Sequence, residues 1–211
     1  EGLLLVGTDD GLLQISENGG DRWSSTKKFP NVPLGTYVSD VCASAHDAKT
    51  LYVSLNNHKR GDFRPYLLKS SDLGKTWKSI SANLPMRHVI WCVIEDHVNS
   101  DLLFVGTELG LLFTVNGGEH WFPIKDGAPP IAFRDLAIQR REQDLVGATF
   151  GRGFFILDDI SVLRHLNSKT LVGEGGLFPP RDTWVYEQIG YVEATFGNYS
   201  TPNPPFGSKL S

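Results

Sequence analysis

The sequence is poor in the residues on which much site chemistry depends. Of its 211 residues only two are cysteine and one is methionine. Cys42 and Cys92 both stand inside apolar runs, which predicts two buried thiols rather than a disulfide or a redox pair. The six histidines, at 46, 58, 88, 97, 120 and 165, show no paired ligand spacing, so no metal site is expected. No cofactor is expected either. Glycine-rich stretches such as "GEGG" at 173–176 lack the Lys-Ser/Thr of a phosphate loop. Charge of one sign is not in excess: 24 acids face 20 bases, a net of -4, which offers no electrostatic footprint for nucleic acid or an anionic membrane. No apolar run approaches the roughly 18 to 20 residues that span a bilayer. The opening "EGLLLVGTDD" has neither a basic segment nor a cleavage site and goes straight into a strand-like run. That opening predicts a piece of something longer.

What the sequence does have is a repeat. Three octamers align without gaps: "SENGGDRW" at 16–23, "SSDLGKTW" at 70–77 and "TVNGGEHW" at 114–121. Position one is Ser16, Ser70 or Thr114, and position three is Asn18, Asp72 or Asn116. Position five is Gly20, Gly74 or Gly118, and position eight is Trp23, Trp77 or Trp121; the second copy adds Thr76 at position seven. Hydroxyl and Asp/Asn side chains hydrogen-bond nearby backbone and fix a turn, Gly supplies positive φ, and Trp fills the space between adjacent sheets. These residues are therefore read as a structural clasp that does no chemistry.

Two short apolar runs precede each octamer, as in "LLFVGTELGLLFT", and a further run precedes those in the later units: "YVSDVCASA", "HVIWCVIED" and "FRDLAIQRR". The unit is thus four strands in roughly 45 residues, the period of propeller blades. The fold expected is all-β: four-stranded antiparallel blades, about half a blade at the start and three more. In the last unit "DDISVLRHL" stands where an octamer would fall. Residues 1–166 are assigned to the blades, as the C-terminal portion of a larger propeller, and 167–211 to an extended tail. So few blades do not close a ring alone, and the remaining blades are expected from the same longer chain or from a partner protein.

The three octamers resemble Asp-box (BNR) repeats, the turn motif of sialidases, xyloglucanases and sortilin-type receptor domains. Over residues 50 to about 166, "DFRPYLLKSSDLGKTW", "DLLFVGTELGLLFTVNGGEHW" and "ATFGRGFFILDDISVLR" resemble the last part of the propeller in large bacterial proteins described as glycosyl hydrolase-like or sortilin-like. That resemblance implies an extracytoplasmic setting. It also implies that "LFPPRDTWVYE" and "TPNPPFGSKL" form a linker toward a further domain.

In such a propeller the Asp boxes lie on one face, and the turns between second and third strands lie on the other. The second face is expected to carry Asp9, Asp10, the insertion "NNHKRGDFRP" at 56–65, Glu108 and Arg152, with Arg87, His88, Arg134 and Asp135 approaching it. Arg60, Asp62, Arg64, Arg134 and Arg152 are the candidate binding residues, because guanidinium forks recognise carboxylates and other anions. The function expected is protein or glycan binding, or scaffolding, with no catalytic set. The alternative is a glycoside hydrolase using Asp9 or Asp10 with Glu108, since glycosidases need paired carboxylates.

Overall fold

The computed structural model describes residues 2–125, 127–166 and 178–179, and its strands form four antiparallel sheets. Blade 1 holds β1 (Leu4–Gly7), β2 (Leu13–Ser16) and β3 (Ser24–Thr26). Blade 2 holds β4 (Tyr37–Ala43), β5 (Leu51–Asn57), β6 (Asp62–Ser70) and β7 (Lys78–Ser79). Blade 3 holds β8 (Ile90–Glu95), β9 (Leu103–Thr107), β10 (Gly110–Thr114) and β11 (Phe122–Ile124). Blade 4 holds β12 (Phe133–Gln139), β13 (Asp144–Thr149) and β14 (Phe154–Leu157). In every sheet the strands pair in chain order. Blade 1 therefore has second, third and fourth strands, slightly more than half a blade. Blade 4 stops after its third, among the described residues.

The strand sequences explain why the sheets stack. Successive side chains of a strand point to opposite faces, so a strand covered on both sides is apolar throughout. Along β5, Leu51, Val53 and Leu55 enter the cluster shared with Leu13 and Ile15 of blade 1, whereas Tyr52 enters the cluster shared with blade 3. Along β9, Leu103 and Val105 point back to blade 2, and Phe104 points forward to Phe133 and Leu136 of blade 4. Each interior strand thus divides its residues between two cores. Cys92 is buried, as expected, but Cys42 is only half-buried; both are free thiols, and burial pushes Cys42 up to about 11.

The three boxes repeat almost bond for bond. Ser16, Ser70 and Thr114 each donate to the Oδ1 of the residue two ahead and accept the amide of the box glycine at 2.9, 2.8 and 3.1 Å. Asn18, Asp72 and Asn116 accept the amides of Arg22, Thr76 and His120 at 2.9, 2.8 and 2.9 Å. Two box glycines are also close-approach points. A Cβ at Gly74 would lie 2.4 Å from Ile15 Cδ1, and one at Gly118 2.8 Å from Ile80 Cβ, each on the preceding blade. The Trp indoles diverge: Trp23 and Trp77 donate to their own box carbonyls at Gly20 and Gly74, while Trp121 donates to Ile80 O of blade 2 at 2.8 Å.

Where a fourth box would fall, Ile160–His165 forms a 3₁₀ turn. Ile160 is fully buried against blade 4 and its amide donates to Gln143 O. Arg164 grips the buried carboxylate of Asp96 on blade 3 through two bonds of 2.8 Å. Burial would raise the Asp96 pKa, but Arg164 and the amides of Asn99 and Val98 outweigh it and hold the carboxyl below its usual range. Apart from Phe178 and Pro179, the tail assigned to 167–211 lies outside the described residues. No helix among the described residues is long and apolar enough to cross a membrane.

Candidate functional site

Antiparallel order puts the boxes at one end of the strands. The turns between second and third strands, and the connections between blades, lie at the other end, together with the start of each innermost strand. These innermost strands share one irregularity. Pairing skips a residue between Val38 and Asp40 in β4, between Ile90 and Cys92 in β8, and between Phe133 and Asp135 in β12. The skipped residues are Ser39, Trp91 and Arg134. A bulge of this kind leaves one residue out of the ladder and re-aims its side chain.

In blade 2 the bulge serves the fold. Ser39 Oγ lies 3.0 Å from Ser54 Oγ and donates to Ile90 O of blade 3 at 2.9 Å. The following residue, Asp40, accepts the amides of Val41 and, across the blade boundary, Val93. Burial raises its pKa against the pull of those two amides.

In blades 3 and 4 the re-aimed residues meet each other. The Arg134 guanidinium stacks over the Trp91 ring with its carbon 3.5 Å from the centroid, and lies 5.3 Å from the ring centroid of Phe150. Trp91 Nε1 donates to Glu108 Oε2 at 2.8 Å, and the same oxygen is 3.8 Å from Arg134 Nη2. His58 also meets Trp91 edge to face at 5.4 Å, and its Nδ1 lies 2.6 Å from Asn56 Oδ1. Asn56 Nδ2 is buried with no hydrogen-bond partner among the described residues. A ladder of five side chains, His58, Trp91, Glu108, Arg134 and Phe150, thus crosses three blades.

The stacking fixes the plane of the guanidinium, and a cation over an indole gains about 0.5 to 2 kcal/mol depending on exposure. The 3.8 Å contact to Glu108 is an ion pair and not a hydrogen bond. Arg134 is therefore a pre-oriented fork whose N–H groups remain free to donate among the described residues.

The other expected residues are differently placed. Arg60 donates to Leu34 O at 2.9 Å, which ties the blade 2 insertion to the connection from blade 1. Asp62 accepts two bonds of 2.9 Å from Arg64 and one of 2.6 Å from Tyr66 OH; Arg64 foremost holds its carboxyl far below the usual range. Arg152 is exposed between Gly151 and Gly153, both at positive φ. Asp9 and Asp10 occupy the β1–β2 turn, where Thr8 Oγ1 donates to Asp10. Glu108 belongs to the β9–β10 turn, with blade 2 standing between it and that pair of acids. Arg87 is exposed, and burial lowers the pKa of His88. Among the described residues no group of three or more His, Cys, Asp or Glu is placed to hold a metal ion.

Sequence reasoning found Arg134, Glu108 and the insertion 56–65 that carries His58, without singling out His58, and it missed Trp91 and Phe150. Trp91 aligns with Ser39 and Arg134 once the bulges set the register of the three inner strands.

No family model and no curated protein matches the chain. Solved structures do match. YCF48 bound to D1 peptide aligns over 75% of this chain and 48% of its own, with TM-score 0.56 and 13% identity. The glycoside hydrolase family 74 xyloglucanase of Xanthomonas campestris aligns over 75% and 26%, with TM-score 0.57 and 19% identity. The extracellular domain of a putative one-component system from B. thetaiotaomicron aligns over 75% and 20%, with TM-score 0.56 and 14% identity. The chain is an arc of a β-propeller. It spans about half or less of the length of these neighbours, and identities this low carry the fold alone.

Proposed function

We propose that this propeller arc is a protein-binding module that takes a peptide carboxylate on the face opposite its boxes, with Arg134 as the anchor. The observation behind this is the stacked fork: Arg134 is oriented by Trp91 and Phe150 and keeps donors for an incoming anion. Phe150, 73% exposed beside it, offers apolar contact to the residue next to that carboxylate. Arg152 extends the positive charge of the rim, and Arg60, Asp62 and Arg64 border the same face on blade 2. A peptide ligand on the neighbour YCF48 is in keeping with this reading. The setting proposed is extracytoplasmic.

A glycan reading is less well supported, because sugars stack on bare aromatic faces and one face of Trp91 is covered by Arg134 at 3.5 Å. A glycosidase reading needs two carboxylates flanking one bond, and Asp9 or Asp10 and Glu108 lie on blades that are not neighbours.

Calorimetric titration with short peptides ending in Leu or Phe tests the reading, comparing a free C-terminal carboxylate with its amide. A charge-assisted bond of about 1.5 to 3 kcal/mol predicts that Arg134→Ala or amidation weakens binding about ten- to a hundredfold. Equal affinity for acid and amide sinks the carboxylate assignment. Saturable binding of a xyloglucan oligosaccharide that ignores Arg134→Ala moves the function to glycans.

A further inference from the structure

The Arg134 fork has a carboxylate beside it with one oxygen in use and one to spare. Glu108 sits in the turn between β9 and β10, at the same end of the strands. Its Oε2 accepts the Trp91 indole N–H at 2.8 Å and lies 3.8 Å from Arg134 Nη2. Its Oε1 has no hydrogen bond or ion pair to the described residues, and the side chain is 47% exposed. Leu109, the next residue of the turn, is exposed as well. One indole thus fixes a guanidinium and a carboxylate side by side, stacking on the first and donating to the second. An anion that reaches Arg134 also comes close to Glu108, which repels it. A ligand with a cation next to its anion turns that repulsion into attraction.

We propose that Glu108 is a specificity-determining residue of this site, and that the peptide it selects carries lysine or arginine as its next-to-last residue. The inference rests on the reading of Arg134 as the carboxylate anchor. Successive side chains of an extended chain point to opposite sides. Phe150 on blade 4 and Glu108 on blade 3 offer two such sides around Arg134, the first for the last side chain and the second for the one before it. Lysine and arginine fit the second place with both of their parts. The cation donates to Glu108 Oε1, and the long aliphatic stem lies on exposed Leu109. Glu108 therefore acts twice: Oε2 holds the indole on which Arg134 stacks, and Oε1 reads the ligand. An acidic residue in that place meets Glu108 directly and is rejected by charge.

Calorimetric titration with three peptides that share a free C-terminal Phe and differ only in the next-to-last residue, Lys, norleucine or Glu, tests the proposal. The proteins compared are the wild type and Glu108→Gln, which keeps an acceptor for the Trp91 indole and loses the charge. The wild type is expected to bind the Lys peptide about three- to fivefold more tightly than the norleucine peptide, the size of a half-exposed ion pair, and the Glu peptide most weakly. Glu108→Gln should bring the three affinities together while the preference for a free carboxylate over its amide persists. A wild type indifferent to the charge of that residue overturns the proposal, as does the absence of binding by the Lys peptide. A charge preference that survives Glu108→Gln overturns it too, and so does an equal loss for all three peptides, which makes Glu108 a positioning residue for Arg134 alone. The anchor reading fails separately, when the acid and amide forms of the Lys peptide bind alike, and the charge series still decides the role of Glu108.

Discussion

Among the described residues, blades 2 and 3 are covered on both faces of their sheets, whereas blades 1 and 4 are covered on one face each. The same box behaves differently in the two settings. Its hydroxyl and amide bonds are reproduced in all three copies, yet Trp121 is sealed against Ile80 and Leu112, and Trp23 keeps only its local bond to Gly20 O. Trp77 is between them, partly buried with Phe29 edge-on at 5.5 Å. The clasp is thus a local structure that forms without a neighbour, and the energy of its indole depends on the neighbour. Asp40 and Asp135 make the same point with polar groups. Each follows a bulge and accepts its own next amide, but among the described residues only Asp40 has a following inner strand from which to accept another, the amide of Val93.

The sharpest way to break this comparison is to truncate the indoles one at a time. Trp121→Ala should cost about 3 to 5 kcal/mol, the range for a fully buried aromatic, with Trp77→Ala intermediate and Trp23→Ala near 1 kcal/mol. Urea unfolding of the three variants checks the order, and equal costs would show that the clasp matters more than its cover. Next in size is Arg164→Ala, which leaves the buried Asp96 carboxylate without its cation and should cost about 3 kcal/mol in the same assay.

The smallest effect belongs to Asp72, the one carboxylate among the box residues at position three. Bonds from Thr76, first from its hydroxyl and then from its amide, with a further one from Ser70, pull its pKa from 3.8 to about 2. A carboxyl with a depressed folded pKa stabilises the protein above its unfolded value. That contribution fades as pH falls from about 4 toward 2. Asp72→Asn keeps the acceptor that Asn18 and Asn116 use in the other copies, so stability at neutral pH should change little. The acid limb of the stability curve between those pH values should flatten.

The parts of the molecule that local chemistry determines could be read directly. Ser70, Asp72 and Gly74 make their bonds within one turn, so three octamers sufficed to find three clasps and a four-strand period. The bulges could not be found that way, because a skipped residue is a property of pairing between two strands. Trp91 consequently reads as one more apolar residue in "HVIWCVIED". Phe150 was missed for a related reason, and His58 was placed on the face only as part of the insertion 56–65: the stacking of blades is what brings them to Trp91 and Arg134. The turn at Ile160–His165 was seen as the end of the repeat, but its grip on Asp96 spans 68 residues of chain.

The bulges have a consequence for how such a surface diversifies. Backbone register alone lifts Ser39, Trp91 and Arg134 out of the ladder, and a hydroxyl, an indole and a guanidinium all occupy the slot without breaking the strand around it. Blades 3 and 4 therefore each contribute one writable character at a constant position, while blade 2 uses the same slot to tie itself to blade 3. A new recognition specificity can be composed by rewriting those characters while the boxes and the cores between blades are inherited unchanged.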